Sequence, residues 1–250
     1  MSQSLKIIGI AGSPHRGGMT AQLVQQALRG AQTAGAETDI FFLADEPLEP
    51  CLGCSGDCWE SQACVHDDAA TARAARLQAA DGLVMAVPVY CWQLNGLTSL
   101  FIDKMRWQTG SVLAPRNPRA ALGMACAGGS GTGCVLALQA LYRYFYNWAF
   151  HGLPGLPVTR FNFQRALVEA RAGGEALVAT LRQGVEPFPS LGAAMAHLDA
   201  LPYMRYGALD ELRLIVEQIK LGLGAAAAPQ HRALWQEAAA AERALQSGDT

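Results

Sequence analysis

The sequence lacks most of the features that assign a function quickly. It has almost no charge imbalance: 19 Lys and Arg stand against 21 Asp and Glu, a formal net charge of −2, with a pI near 6.2. That excludes the basic footprint of a nucleic-acid or anionic-membrane binder. No apolar run approaches the roughly 18 residues that a membrane-spanning helix needs, so no membrane partner is expected. The polar start Met1–Ser4 leads straight into an apolar segment without a long secretory core, so no signal peptide is expected. Neither G-x-S-x-G nor H-E-x-x-H occurs, which removes the nucleophile elbow and the helical zinc motif. His66, His151, His197 and His231 have no spacing that suggests a triad or a metal site. There is no internal repeat. The cysteines are seven, an odd number with four crowded together, which argues against a disulfide framework and for a reducing, cytoplasmic setting.

What the chain does have is concentrated in Leu5 to Thr20, LKIIGIAGSPHRGGMT. Leu5, Ile7, Ile8 and Ile10 form the nearly continuous apolar run of a strand buried on both faces. Gly12, Ser13, Pro14, Gly17, Gly18 and Thr20 follow as a loop of small residues and hydroxyls, and a helical pattern starts at once. Strand, loop and helix N-terminus together let amides and the helix dipole hold a phosphate. A P-loop is excluded, because Gly18 stands where its lysine belongs and Met19 where its Ser/Thr belongs. A G-x-G-x-x-G dinucleotide fingerprint is also absent. What remains is a loop for one terminal phosphate, held by amides and the Ser13 and Thr20 hydroxyls, with His15 or Arg16 adding charge. A glycine-rich turn without a ligand is the alternative.

Further along, strand and helix patterns alternate. Leu23, Val24, Ala27, Leu28, Ala31 and Ala34 share a helical face; Asp39–Leu43 reads as a strand; residues 44–68 have no period; 69–80 read as a helix. Leu83–Val87 is a third strand, and Asn95 is placed to cap a helix whose Leu97, Leu100, Phe101 and Met105 share a face. Ala120–Ala127 is a fourth strand, followed by a second small-residue loop, Gly128–Gly133, and a helix. Pro157–Phe163 is a weaker fifth strand. The alternation predicts an α/β fold, a doubly wound five-stranded parallel sheet spanning 1–184, with a helical C-terminal extension over 185–250. In that extension Ala208–Leu221 is amphipathic, Gly222–Gln230 reads as a linker and 231–246 as helix. Tyr142, Tyr144, Phe145, Tyr146, Trp148 and Phe150 exceed what one helix stripe buries, leaving a subunit interface and an internal core both open. Arg116, Arg119 and Arg160 are either contacts for a nicotinamide nucleotide or solubilising charges.

Three segments together carry a family resemblance. Gly12–Thr20, then Pro88-Val89-Tyr90 followed by Leu97, Phe101-Ile102-Asp103 and Lys104-Met105-Arg106, then Ala127-Gly128-Gly129-Ser130, resemble the ligand loops of the NAD(P)H-dependent FMN reductase family, whose fold is flavodoxin-like. The resemblance covers roughly residues 5–165. It departs at Met19, where the family more often has Asn, at Thr98-Ser99, where it usually has Lys, and in the long C-terminal extension. The resemblance implies that Ser13, His15, Arg16, Gly18, Met19 and Thr20 surround the FMN phosphate. Pro88, Val89, Tyr90, Cys91, Trp92 and Gln93 would run along the isoalloxazine edge, and Gly128, Gly129 and Ser130 would approach its pyrimidine end. Surface packing is the other reading of Tyr90 and Trp92. The implied activity passes hydride from NAD(P)H to FMN and electrons onward to a small acceptor: a quinone, flavin, nitro or azo compound. The cofactor carries that chemistry, so no acid–base dyad is required. A homodimer or homotetramer is the implied assembly.

Cys51, Cys54, Cys58 and Cys64 are spaced C-x₂-C-x₃-C-x₅-C. Four thiols in so short a loop can wrap an iron–sulfur cluster or one zinc. The segment resembles the compact motif of iron–sulfur flavoproteins, with one extra residue before the third cysteine. Cluster, zinc and free thiols in a subunit-interface loop stay open; a cluster would make the protein an electron carrier to a redox partner protein. Cys91 is either a redox thiol beside the flavin edge or a packing residue.

Overall fold

The computed structural model describes residues 4–45, 48–54, 57–66, 68–108, 119–223 and 232–247. The apolar run becomes β1 (Lys6–Ala11), buried at every position after its first. It leads through the small-residue loop to α1 (Met19–Thr33) and β2 (Glu37–Phe42). The aperiodic stretch holds a short helix, α2 (Asp57–Ser61), and then α3 (Asp68–Gln78). The chain continues through β3 (Gly82–Tyr90), β4 (Gln93–Leu94), α4 (Gly96–Lys104), β5 (Arg119–Ala127) and α5 (Cys134–Asn147). Two short strands follow, β6 (Phe150–Gly152) and β7 (Leu156–Thr159), and then α6 (Phe163–Gln183), α7 (Leu191–Ala200), α8 (Ala208–Leu223) and α9 (Arg232–Ser247).

The parallel strands lie in the order β2-β1-β3-β5, with β6 and β7 sharing the fifth position beside β5. This is a flavodoxin-like α/β sheet. Residues of α1 and α6 bury one face and residues of α3, α4 and α5 the other. The order places the carboxyl ends of β1, β3 and β5 side by side, where open α/β sheets bind ligands.

The expected fifth strand, Pro157–Phe163, is instead split and earlier. Pro154 has no amide to give the ladder, and the gap between β6 and β7 is filled by Tyr142. Its hydroxyl accepts from Gly123 N (3.1 Å) and donates to Leu153 O. The aromatic surplus is explained the same way: Tyr142, Phe145, Trp148 and Phe150 are buried in the chain's own core. Tyr144 and Tyr146 of the same set are half-buried.

Residues beyond 184 lie against the same body. Val185 joins the core over α1 and α6, while Leu198, Leu201, Tyr203 and Met204 pack on the other core. The sequence did not signal α7, whose run of alanines has no apolar period; Ser190 opens it by accepting from Ala193 N at 3.1 Å. Of the expected linker, Gly222 belongs to α8 and 224–230 lie outside the described residues.

Candidate functional site

After β1 the chain turns sharply. Gly12 N donates to Ala86 O (2.9 Å) and Gly18 N to His15 O (3.1 Å). Ser13 is buried and its Oγ accepts from His15 N at 3.1 Å. His15, Arg16 and Gly17 form an exposed crown, while Gly18 and Met19 are half-buried and Thr20 is buried. Helix α1 begins with Gly18 as its N-cap, without a side-chain cap and without an acidic residue in its first turn. Gln22 N is bonded to Gly18 O and Gly18 N to His15 O, so the amides of Met19, Thr20 and Ala21 are the orphans of the helix start. Two candidate side chains are engaged elsewhere. Arg16 pairs with Asp45 Oδ1 at 2.6 Å and lies over the Phe42 ring at 4.9 Å, so it leans toward the end of β2. The Thr20 hydroxyl lies beside the Cys126 thiol and partly offsets the effect of burial on it.

Strand β3 runs out to Tyr90 and returns as β4, with Val89 opposite Leu94 and Tyr90 opposite Gln93. The two turn residues, Cys91 (φ 50°) and Trp92 (φ 70°), are both left-handed, at about 1 kcal/mol or more each for a residue with a Cβ. Such strain persists where the surroundings over-determine it, often at ligand clamps. The hairpin exposes Tyr90, Cys91, Trp92 and Gln93 and buries Pro88. Behind it sits a buried polar network that was not read as part of the site. Asn95 occupies the N-cap of α4 but makes no cap bond. Its Nδ2 donates to Gly12 O (2.9 Å) and its Oδ1 accepts from Thr98 Oγ1 (2.5 Å). A Cβ on Gly12 would fall 2.4 Å from Thr98 Oγ1. Thr98, a departure from the family pattern, is thus the residue against which the phosphate-type loop is seated.

At the end of β5, Gly128, Gly129 and Ser130 are exposed, and Cβ atoms on the two glycines would meet nothing within 4 Å. Ser130 Oγ is 2.6 Å from Thr132 Oγ1. Gly133 has φ 89°, and a Cβ there would lie 2.5 Å from Trp92 Cα, so the β3 hairpin rests directly on this loop. The start of α5 is closed from far along the chain: Glu211 of α8 is buried and its Oε1 accepts from Val135 N at 2.7 Å. Burial and then the Glu211 charge push the neighbouring Cys134 thiol up to about 12, and burial pushes Cys126 up to about 11. Both thiols are therefore protonated and unreactive near neutrality.

The arginines expected near a nucleotide separate. Arg119 stands at the opposite edge of the sheet, donating to Leu77 O at 3.3 Å and to Trp148 O, with its guanidinium over the Phe150 ring. Burial lowers its pKa to about 10; it is a structural clamp. Arg160 is exposed just past β7, and Arg116 lies outside the described residues.

The four clustered cysteines line one narrow cleft, together with Lys104, Arg106 and Trp107. Buried Lys104 reaches Cys64 Sγ at 3.7 Å. Arg106 Nε and Trp107 Nε1 are buried without a hydrogen-bond partner. Four thiols ringed by cations and N–H donors suit an anionic thiolate-bound group. No three His, Cys, Asp or Glu side chains among the described residues close on one point as a single metal ion requires. Helix α4, about 13 Å long at 1.5 Å per residue, runs from the Asn95 network to this cleft.

A profile of the NADPH-dependent FMN reductase family matches residues 5–159. An iron–sulfur flavoprotein of Methanocaldococcus jannaschii is 35% identical over 102 residues, 41% of this chain and 52% of its own. Another, from Methanosarcina thermophila, is 40% identical over 86 residues, 34% of this chain and 44% of its own. The chain thus spans about half the length of these curated relatives. Among solved structures, RosB with a bound 8-demethyl-8-formylriboflavin-5'-phosphate intermediate aligns over 82% of this chain and 95% of its own, with a TM-score of 0.59 and 15% identity. That likeness is one of fold.

Proposed function

The chain belongs to the NADPH-dependent FMN reductase family, and from that premise we propose that it is an FMN-dependent NAD(P)H oxidoreductase serving a small acceptor such as a quinone, flavin, nitro or azo compound. The observation that carries this reading is a contrast between two helix starts at one sheet edge. The α5 start is closed by a protein carboxylate, whereas α1 has neither a side-chain cap nor an acidic residue in its first turn. An uncapped N-terminus with buried Ser13 beside it suits a phosphate. Bound there, FMN would supply hydride acceptance and onward electron transfer. The amides of 19–21 and Ser13 hold the phosphate end. Residues 88–93 offer main-chain groups and the flat sides of Tyr90 and Trp92 along the ring. The open space over Gly128 and Gly129 leaves room for its other end, beside Ser130. His15 and Met19 border the phosphate, and Arg16 adds charge only by leaving Asp45.

A second reading rests on the thiol cleft and on the names of the curated relatives. Cys51, Cys54, Cys58 and Cys64 would hold an iron–sulfur cluster as a one-electron relay to a redox partner protein, flanked by Lys104 and Arg106. Exposed Leu52, Trp59 and Val65 around the cleft support an assembly of copies of this chain, a homodimer or homotetramer. No described helix is long and apolar enough to cross a membrane, and we read the compartment as cytoplasmic. Anaerobic mixing with NADPH separates the readings. Bleaching of the flavin band within seconds is expected for the reductase. Inertness to both nicotinamides, with broad iron–sulfur absorption, would replace it with the carrier.

A further inference from the structure

Helix α8 lies outside every segment that carries the family resemblance, yet it and the turn before it are fastened at three levels to α5 and β7, the elements that flank the third candidate ligand loop. Before the helix, Gln139 Nε2 donates to Tyr203 O (2.8 Å) and Tyr206 O (2.9 Å). In its first turn Glu211, only 1% exposed, accepts from Val135 N. Further on, Gln218 Oε1 accepts from Thr159 Oγ1 (2.9 Å) and Gln218 Nε2 donates to Pro157 O (3.3 Å). Between them Ile215 presses on the loop: a Cβ on Gly131 would meet Thr159 Cγ2 at 2.7 Å and Ile215 Cγ1 at 3.3 Å.

The chemistry of Glu211 follows from what Gly133 lacks. Gly133 is the N-cap of α5 and must be glycine, since its φ of 89° and the Trp92 backbone leave no place for a side chain. It therefore has no oxygen with which to cap. Glu211 provides that oxygen, 76 residues beyond the Val135 amide that it accepts from, and with it a negative charge at the positive end of the helix. Loop 128–133 and the Trp92 hairpin resting on it thus take their positions from α8.

Resting on the reading of this edge as the FMN site, we propose that α8 is a wall of that site and that Glu211 is its positioning residue. Its cap bond fixes the loop at the far end of the ring, and its buried carboxylate holds the potential of the bound flavin down, because a fixed negative charge opposes added electrons.

The test uses the full chain, with FMN as the probe. Glu211→Gln keeps the accepting oxygen and removes the charge. It is expected to bind FMN within about threefold of wild type and to shift the midpoint potential upward in spectroelectrochemical titration. Glu211→Ala removes the cap and is expected to weaken FMN binding about five- to tenfold, the factor that one helix cap of typical strength carries. Unchanged potential in Glu211→Gln, with thermal stability alone reduced in either variant, would overturn the proposal and leave Glu211 a structural cap. The Gln variant keeps the test open if the Ala variant fails to fold. A wild-type chain that takes up no FMN would overturn the flavin reading itself, an outcome visible before either variant is made.

Discussion

Ser13→Asp is expected to abolish FMN retention while leaving the fold intact. Ser13 Oγ accepts from His15 N, a bond that aspartate makes equally well in an Asx turn, so the loop keeps its shape. What changes is the charge. Gly18, the N-cap of α1, lies so near that a Cβ on it would be 3.9 Å from Ser13 Oγ. A carboxylate about 4 Å from a phosphate charge repels it by roughly 4 kcal/mol at an effective dielectric of about 20. Even after screening at this partly open edge, FMN affinity falls by about a hundredfold or more. Riboflavin, which has no phosphate, serves as the control and is expected to bind both proteins alike. Fluorescence titration reads both ligands. A variant that binds FMN as wild type does would remove the phosphate from this loop.

Gly174→Val is expected to give the largest loss of stability among single substitutions. Helices α1 and α6 cross backbone to backbone: a Cβ on Gly174 would sit 1.8 Å from Ala27 O, and one on Gly30 1.9 Å from Arg171 O. Neither carbonyl can swing away as a side chain does, so the helices must separate. Overpacking of this kind costs about 3 kcal/mol or more, which for a chain of this size lowers Tm by roughly 6–12 °C. Gly173→Ala is the internal comparison. Its Cβ would meet only the Leu122 side chain, at 2.7 Å, which can repack, and Ala regains about 1 kcal/mol of helix propensity. Differential scanning calorimetry should show a large drop for the first and a small change for the second. Since α1 carries the uncapped amides, Gly174→Val should weaken FMN binding as well.

These residues mark what the sequence could and could not convey. The first strand, its loop and α1 were legible because each carries its own period and punctuation within about 30 residues. The placement of the three candidate loops at the ends of β1, β3 and β5 was legible for the same reason. Glu211 and Asn95 were not: their partners stand 76 and 83 residues away, and nothing local to either marks a buried contact. The Asn95-x-x-Thr98 spacing, one helical turn, was the only available hint of a linked pair. Arg16 and Arg119 were legible as charges but not as to their partners. The aromatic stripe of α5 looked like a surplus only because the break between β6 and β7, which Tyr142 fills, was not foreseen from Pro154. For the cysteines, spacing conveys a shared cleft; closure on a metal depends on distances that spacing does not fix.

The central claim is that main-chain amides at the start of α1 anchor this protein's cofactor by its phosphate. The most direct measurement is a titration of flavin-free protein with FMN and with riboflavin at the same ionic strength. Affinity for FMN at least about a hundredfold above that for riboflavin is expected, since two charge-assisted hydrogen bonds of roughly 1.5–3 kcal/mol each suffice for it. Equal affinity for the two flavins, or none for either, would contradict the account.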